Sequence, residues 1–348
     1  MLHLDVCKTC LIMFTAICGL LLSVELVYRA WLYLHNCDPA CYNIALFAKL
    51  DAFNRDTIYR FLARDPDVGY SLADGTLVVD EPGWNGARIT IHQGVRVNPD
   101  FTPTSGRHPI LAIGGSFVFG DKVSDDETWP AILERRLNRR VVNGGVSGYG
   151  PVQAVLHAEK LLKSQAYSLV ILSIVVFVDL PRDRYVNFLR FHRPAVIRDD
   201  WRLRHTTFEE SGKVISENFA CAHPWVPEMF SWSHMAKRFF LRFGYDGRCT
   251  NITHPRAATV DEIREFAIER MAALPVNNKV ILVHIPRHVF GGFSIEEARK
   301  IADAAGRHGV RVIDVYNDLK NKPLLEILKS ENEVLTDLIV RKIAAMAP

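Results

Sequence analysis

The residues best placed to do chemistry in this chain begin with a serine. In Ile110-Leu111-Ala112-Ile113-Gly114-Gly115-Ser116-Phe117-Val118-Phe119-Gly120 an apolar run of strand length ends in two glycines and Ser116. Such a turn exposes the hydroxyl at a sheet edge, and N–H groups just after a strand can stabilise an oxyanion. That is the chemistry of a nucleophilic serine. A second run, Val141-Val142, leads into Asn143-Gly144-Gly145-Val146-Ser147-Gly148-Tyr149-Gly150. In a parallel sheet both turns leave at the same edge, about one βαβ unit apart, so the N–H of Gly148 can point into the site of Ser116. Glycine and serine are also what any loop uses, so neither turn is specific alone.

A serine nucleophile needs a base. His284 and His288 flank Pro286 at the end of an apolar run, and His288 is the better placed of the two. Further histidines stand at 192, 205, 223 and 234. A lone histidine near a strand end is more often a structural hydrogen-bonding residue. Asp179, which follows the run Leu169 to Phe177, becomes a useful base only if burial raises its pKa. No His/Cys/Asp cluster has metal-ligand spacing and no phosphate-loop pattern occurs, so no cofactor and no metal are expected.

The elements that must position these residues follow from the apolar pattern after Pro109. Strand-length runs at Pro109–Ile113, Arg140–Asn143, Leu169–Phe177, Val280–Ile285 and Val310–Val315 alternate with helical segments at Trp129–Leu137, Val152–Leu162, Ile295–Ala305 and Leu324–Met346. Continuous apolar strands separated by helices predict a parallel sheet buried on both faces, hence an α/β domain over 106–348. Residues 29–105 form a lead-in rich in Asp, Pro and Gly, in which Ala87–Ile91 reads as an edge strand. Between about 183 and 255 the alternation breaks, which predicts an insertion over the carboxyl edge of the sheet. A structural elaboration with no part in binding is an equal reading of that segment.

With 348 residues, 49% hydrophobic and 23% charged, the chain can build one large or two ordinary domains and is too apolar to be disordered. Its 42 Lys+Arg nearly cancel 39 Asp+Glu, which gives no basis for a nucleic-acid partner. Residues 9–28 are almost wholly apolar and about one bilayer span long, with no small-x-small cleavage pattern after them. They predict an uncleaved transmembrane helix, with Trp31 and Tyr33 beyond it suited to a membrane interface. Cys7, Cys10 and Cys18 go with the anchor; Cys37, Cys41, Cys221 and Cys249 lie beyond it and would suit two disulfides in an oxidising compartment, four unpaired thiols being the alternative. The expected location is therefore the cell membrane, single-pass, with the soluble domain outside the cytoplasm.

Taken together, the blocks resemble the SGNH/GDSL hydrolase family, in its membrane-anchored, envelope-facing form. The likeness rests on Asp65-Pro66-Asp67-Val68-Gly69-Tyr70, Gly94-Val95-Arg96, Gly114-Gly115-Ser116-Phe117 with Asp126-Glu127-Thr128-Trp129-Pro130, Asn143 to Gly150 with Gln153, Pro286, and Ile313-Asp314, in order and at sensible spacing. It implies a flavodoxin-like three-layer α/β/α sandwich with a central parallel sheet, Ser116 as nucleophile, and an oxyanion hole that includes the N–H groups of Ser116 and Gly148.

Three departures bear on activity. Gly115 stands where the family has aspartate, a mainly structural side chain. Val178-Asp179 stands where it has Asn-Asp, and losing one oxyanion donor is worth about 3 kcal/mol of transition-state stabilisation. Ser330 falls at the family's histidine, although Asn332 and the helix after it still match. Three readings result: a serine esterase or acyl hydrolase acting on O-acyl (acetyl) esters of envelope carbohydrate; an O-acyltransferase partner; and a degenerate member that binds carbohydrate or a partner protein.

Overall fold

The computed structural model describes residues 2–34, 60–80, 84, 86–176, 178–188, 191–217, 251–284, 292–315 and 331–344. The chain divides into two compact units, Met1–Asp56 with Ile215–Asn251, and Thr57–Val214 with Ile252–Pro348.

The first unit is described mainly by helix α1, Leu2–Leu34. It runs past the expected 9–28 at both ends because no proline interrupts the flanking residues. Ile12, Phe14, Leu20 and Val27 are largely exposed, whereas Glu25 is buried. Among the described residues no helix is long and apolar enough to cross a membrane; the side chains of α1 are described over residues 12–28 and at 30. Cys37, Cys41, Cys221 and Cys249 lie outside the described residues.

The second unit is built on an eight-stranded mixed sheet. In chain order its strands and neighbours are β1 (Leu62–Asp65), β2 (Gly69–Leu72), β3 (Gly75–Val79), β4 (Ala87–His92), β5 (Val95–Arg96), β6 (Ile110–Gly114), β7 (Val141–Gly145), β8 (Leu169–Val175), β9 (Tyr185–Phe188), β10 (Phe191–His192), β11 (Val196–Asp199), β12 (Arg202–His205), β13 (Asn251–Thr253), β14 (Asn278–His284) and β15 (Arg311–Asp314). The helices after α1 are α2 (Ser116–Phe119), α3 (Trp129–Leu137), α4 (Pro151–Ser164), α5 (Phe208–Glu217), α6 (Val260–Ala272), α7 (Gly292–Arg307) and α8 (Glu331–Ala344).

The sheet order is β15-β14-β8-β6-β7-β5-β4-β3. The five strands β6, β7, β8, β14 and β15 are mutually parallel, as the apolar runs predict. Numbered among themselves they stand 2-1-3-4-5, an order that places a topological switch point between β6 and β8. Every residue of β6 and β8 is buried, which is what a sheet covered on both faces requires. Alternate residues serve the two faces. Leu111, Ile113, Val170 and Leu172 join Val155 of α4, Ile268 of α6 and Ile301 of α7 in one core. Ile110, Ala112 and Ile171 join Trp129 and Leu133 of α3 and Ile339 of α8 in the other.

The lead-in extends this sheet. Strands β5, β4 and β3 add antiparallel to β7, so Ala87–Ile91 is interior and not an edge strand: β3 pairs with it from Gly75↔Ile91 to Val79↔Ala87. Its alternation of buried and half-buried residues fits a strand covered on one side. The segment after 183 holds short pieces: a three-stranded sheet β10-β9-β13 in which β10 pairs antiparallel with β9, the antiparallel hairpin β11-β12, and α5, which precedes β13 in the chain.

Candidate functional site

Ser116 is the first residue of α2, directly beyond β6 at its carboxyl end, and is partly exposed. The second glycine turn lies alongside, since Val146 N donates to Gly114 O at 3.0 Å. Gly120 N and Asp121 N both donate to Ser116 O, at 2.8 and 3.2 Å, which closes the turn behind the serine. Buried Arg96 then pins the segment after α2: its guanidinium donates to Phe119 O at 2.8 Å, Gly120 O at 2.7 Å and Val123 O at 2.7 Å, and pairs with Asp125 at 2.9 Å. The expected upstream segment Gly94-Val95-Arg96 thus acts on the serine turn through its arginine.

Gly115 has a physical reason to lack a side chain. A Cβ there would lie 3.0 Å from Tyr149 O and 3.1 Å from both Arg182 Nη1 and Asp179 Oδ1. The space beside Gly115 is filled by an Asp179–Arg182 ion pair, 2.9 Å apart and formed at i,i+3 across a 3-10 turn. Asp179 Oδ2 also accepts from Val175 N at 2.7 Å. Burial pushes its carboxyl up to about 6, against the opposing pull of Arg182 and the Val175 N–H. Asp179 is therefore committed to holding Arg182 beside the residue that precedes the serine.

Gly148 adopts φ +84°, the left-handed region, and a Cβ on it would meet Phe188 Cε1 at 2.1 Å. The ring of Phe188 covers this glycine and also faces the guanidinium carbons of Arg182 and Arg193, 5.9 and 5.5 Å from its centroid. Arg193 Nη1 donates to Gly148 O at 2.8 Å, and its Nη2 reaches buried Asp183 at 3.4 Å. Asp183 in turn accepts from the N–H groups of Val152 and Gln153 at the start of α4, and burial lifts it to about 6. Ser147 Oγ donates to Asp121 Oδ1, whose carboxyl is raised by desolvation in spite of Ser147, Arg182 and Arg96.

The structure thus gathers Ser116, Gly148 and Asp179 at one edge, flanking the switch point. His288 is not among the described residues, nor is Ser330, and the side chain of His284 is outside them as well. Among the described residues Ser116 Oγ has no hydrogen-bond partner, imidazole included. Val178, which follows β8, is exposed at 37% and offers no donor. Sequence reasoning missed Arg182, Asp183, Arg193 and the Asp121–Ser147 contact. The signal was present in Asp179-Leu180-Pro181-Arg182-Asp183-Arg184, where acids and bases alternate at spacings that a tight turn brings together.

No family model matches the chain, and no curated protein matches it. Solved structures similar to it at low identity include an SGNH-hydrolase family esterase, a lipolytic protein of the G-D-S-L family and an acetylxylan esterase. The first of these is AlinE4 (14% identity, 70% of this chain and 99% of that one, TM-score 0.35). LAE5, an alpha/beta hydrolase enzyme from the metagenome of Lake Arreo, Spain, matches at 13% identity over 71% of this chain and all of its own, TM-score 0.38. A catalytic mutant of Axe2, an acetylxylan esterase from Geobacillus stearothermophilus, matches at 12% identity over 70% of this chain and 96% of its own, TM-score 0.35. The doubly wound architecture described above rests on this chain's own strand pairings.

Proposed function

We propose that this chain is an SGNH-type serine esterase or acyl transfer domain, held at a membrane by its N-terminal helix with the α/β domain outside the cytoplasm. The observation that carries the reading is the placement of Ser116. It stands on the first turn after β6, partly exposed beside the switch point, with Arg182 packed on the preceding glycine. In this reading Ser116 Oγ attacks an ester carbonyl, its proton passes to the departing alkoxide so that the alcohol leaves, and water or a sugar hydroxyl then takes the acyl group and gives its proton back to Oγ. The N–H groups of Ser116 and Gly148 face the developing oxyanion, and an Arg182 guanidinium N–H supplies the donor that Val178 cannot. O-acetyl esters of envelope carbohydrate are the substrate class, and the exposed apolar side chains of α1 support the anchor.

A second reading has its own support. Ser116 Oγ lacks an imidazole partner among the described residues, and Phe188 lies over Gly148. Both features suit a family member that binds acylated carbohydrate or a partner protein without turnover. A fluorophosphonate separates the two. In the esterase reading Ser116 Oγ displaces fluoride from phosphorus, giving an adduct present in the wild type and absent from Ser116→Ala. Absence of a Ser116-dependent adduct, together with no hydrolysis of acetyl esters, overturns the esterase reading and leaves the binding one.

A further inference from the structure

The opposite edge of the same sheet carries a cleft of about 540 Å³ that the serine chemistry leaves unused. It opens where β6, β8, β14 and β15 begin, so the whole length of the strands separates it from Ser116. A volume of this size lies within the range of small-molecule sites.

Its charge is one-sided. Arg107, Arg139, Lys279 and Arg311 line it together with His108 and His308, and among the described residues no aspartate or glutamate is in its walls. Two of these cations are fixed by neutral groups and not by carboxylates. Arg139 donates through Nε to His108 O at 2.9 Å and through Nη2 to the hydroxyl of Ser168, and Lys279 Nζ donates to Ala272 O at 2.6 Å. Arg107 and Arg311 are exposed and have no side-chain partner among the described residues. The carboxylate that comes near, Glu265, is shared between Arg307 and His308, the latter at 3.6 Å.

Backbone carbonyls can aim a guanidinium without neutralising it. Desolvation, with the like charge of Arg107 added to it, makes Arg139 easier to deprotonate than a free arginine. Guanidinium forks match the oxygens of a phosphate bidentately, while an ammonium adds a point charge. A multiply charged oxyanion would relieve the repulsion and occupy part of the space, leaving room for the group that bears it.

We infer that this amino-edge cleft is a binding site for a soluble phosphate-bearing small molecule, held by Arg107, Arg139, Lys279 and Arg311. The inference is independent of catalysis at Ser116.

The test is calorimetric titration of the full chain with pyrophosphate, and with a sugar monophosphate as the second soluble probe. Binding is expected to weaken as salt is raised and to fall at least tenfold in Arg107→Gln/Arg311→Gln, with the Ser116 fluorophosphonate adduct unchanged in yield. Asn277→Asp, at an exposed wall residue, keeps every cation and adds one carboxylate; it is expected to weaken binding severalfold, which covers the case in which the double variant folds poorly. Absence of binding at millimolar probe, or an affinity indifferent to both variants, overturns the site. Binding to phosphatidylglycerol vesicles lost in the double variant, with no response to either soluble probe, overturns the small-molecule assignment in favour of a lipid surface.

Discussion

The two edges of the central sheet handle charge in opposite ways. At the carboxyl edge the cations named above, two buried and Arg182 partly so, each have an anionic partner: Arg96 with Asp125, Arg182 with Asp179, Arg193 with Asp183. At the amino edge Arg139 and Lys279 are held by carbonyls and a hydroxyl, and Arg107 and Arg311 stand open. Paired charges at one edge serve geometry, because each arginine also donates to a backbone carbonyl of the turns around Ser116: Phe119, Tyr149 and Gly148 respectively. Unpaired charges at the other edge serve attraction. One sheet therefore offers a stiff, locally compensated rim and an open, electropositive one.

That contrast can be broken first at the serine. Ser116→Ala is expected to abolish the fluorophosphonate adduct and ester turnover while leaving the melting temperature within a few degrees, as read by labelling and calorimetry. Next in size is Arg193→Met, which strands buried Asp183 without its cation. Breaking a buried pair in this way costs about 3–5 kcal/mol, to be checked by urea unfolding. Removing the cation beside the serine, Arg182→Met, is expected to lower turnover by about two orders of magnitude, with partial recovery in Arg182→Lys. Turnover unchanged in Arg182→Met would sever Arg182 from the chemistry.

A smaller effect concerns pH. His157 is buried with neither ring nitrogen bonded among the described residues, and desolvation lowers it to about 4. Between that value and the ordinary 6.5 the unfolded chain binds the extra proton, so this group's contribution to stability is intact above 6.5 and is lost as the pH falls toward 4. Asp179 and Asp183, raised to about 6, work the other way: through 3.8 to 6 the folded state holds more protons, and they favour folding as the pH falls. His157→Leu deletes the histidine contribution alone. Relative to wild type the variant should gain stability on acidification from pH 6.5 to 4, by up to about 3 kcal/mol, measured as unfolding midpoints at each pH. Smallest of all is Arg311→Gln at the open edge, expected to leave stability within about 0.5 kcal/mol, since it breaks no pair. A clear loss there would show that the amino edge is compensated after all.

The sheet's parallel half was legible because its strands are buried on both faces and so read as unbroken apolar runs. Five runs were expected and β6, β7, β8, β14 and β15 fall within two residues of them. Strands β3 to β5 were harder, since they are short and only partly apolar, and β4 was placed at an edge for want of a signal for β3. Ser116 and Gly148 were legible as turn residues. Their supports were not, because Arg182 and Arg193 come from a segment with no periodicity, where partnership is settled by tertiary approach and not by spacing. Asp179 was legible as a candidate base that burial would have to raise, and burial does raise it, to about 6; its hold on Arg182 and on the Val175 N–H was not legible.

One crossing outlasts these details. Tyr149 Oη donates to Tyr70 O, Tyr70 Oη donates to Ser147 O at 3.2 Å, and Gln153 Nε2 reaches Val68 O at 2.5 Å. The partners are 79, 77 and 85 residues apart in sequence. Contacts of that separation are slow to find, because the entropy of closing the long loop is paid before they reward it. The second glycine turn is thus stitched to a strand outside the parallel core, and a single proteolytic nick between residues 73 and 76 would loosen the turn that holds Gly148 while every parallel strand stayed in place.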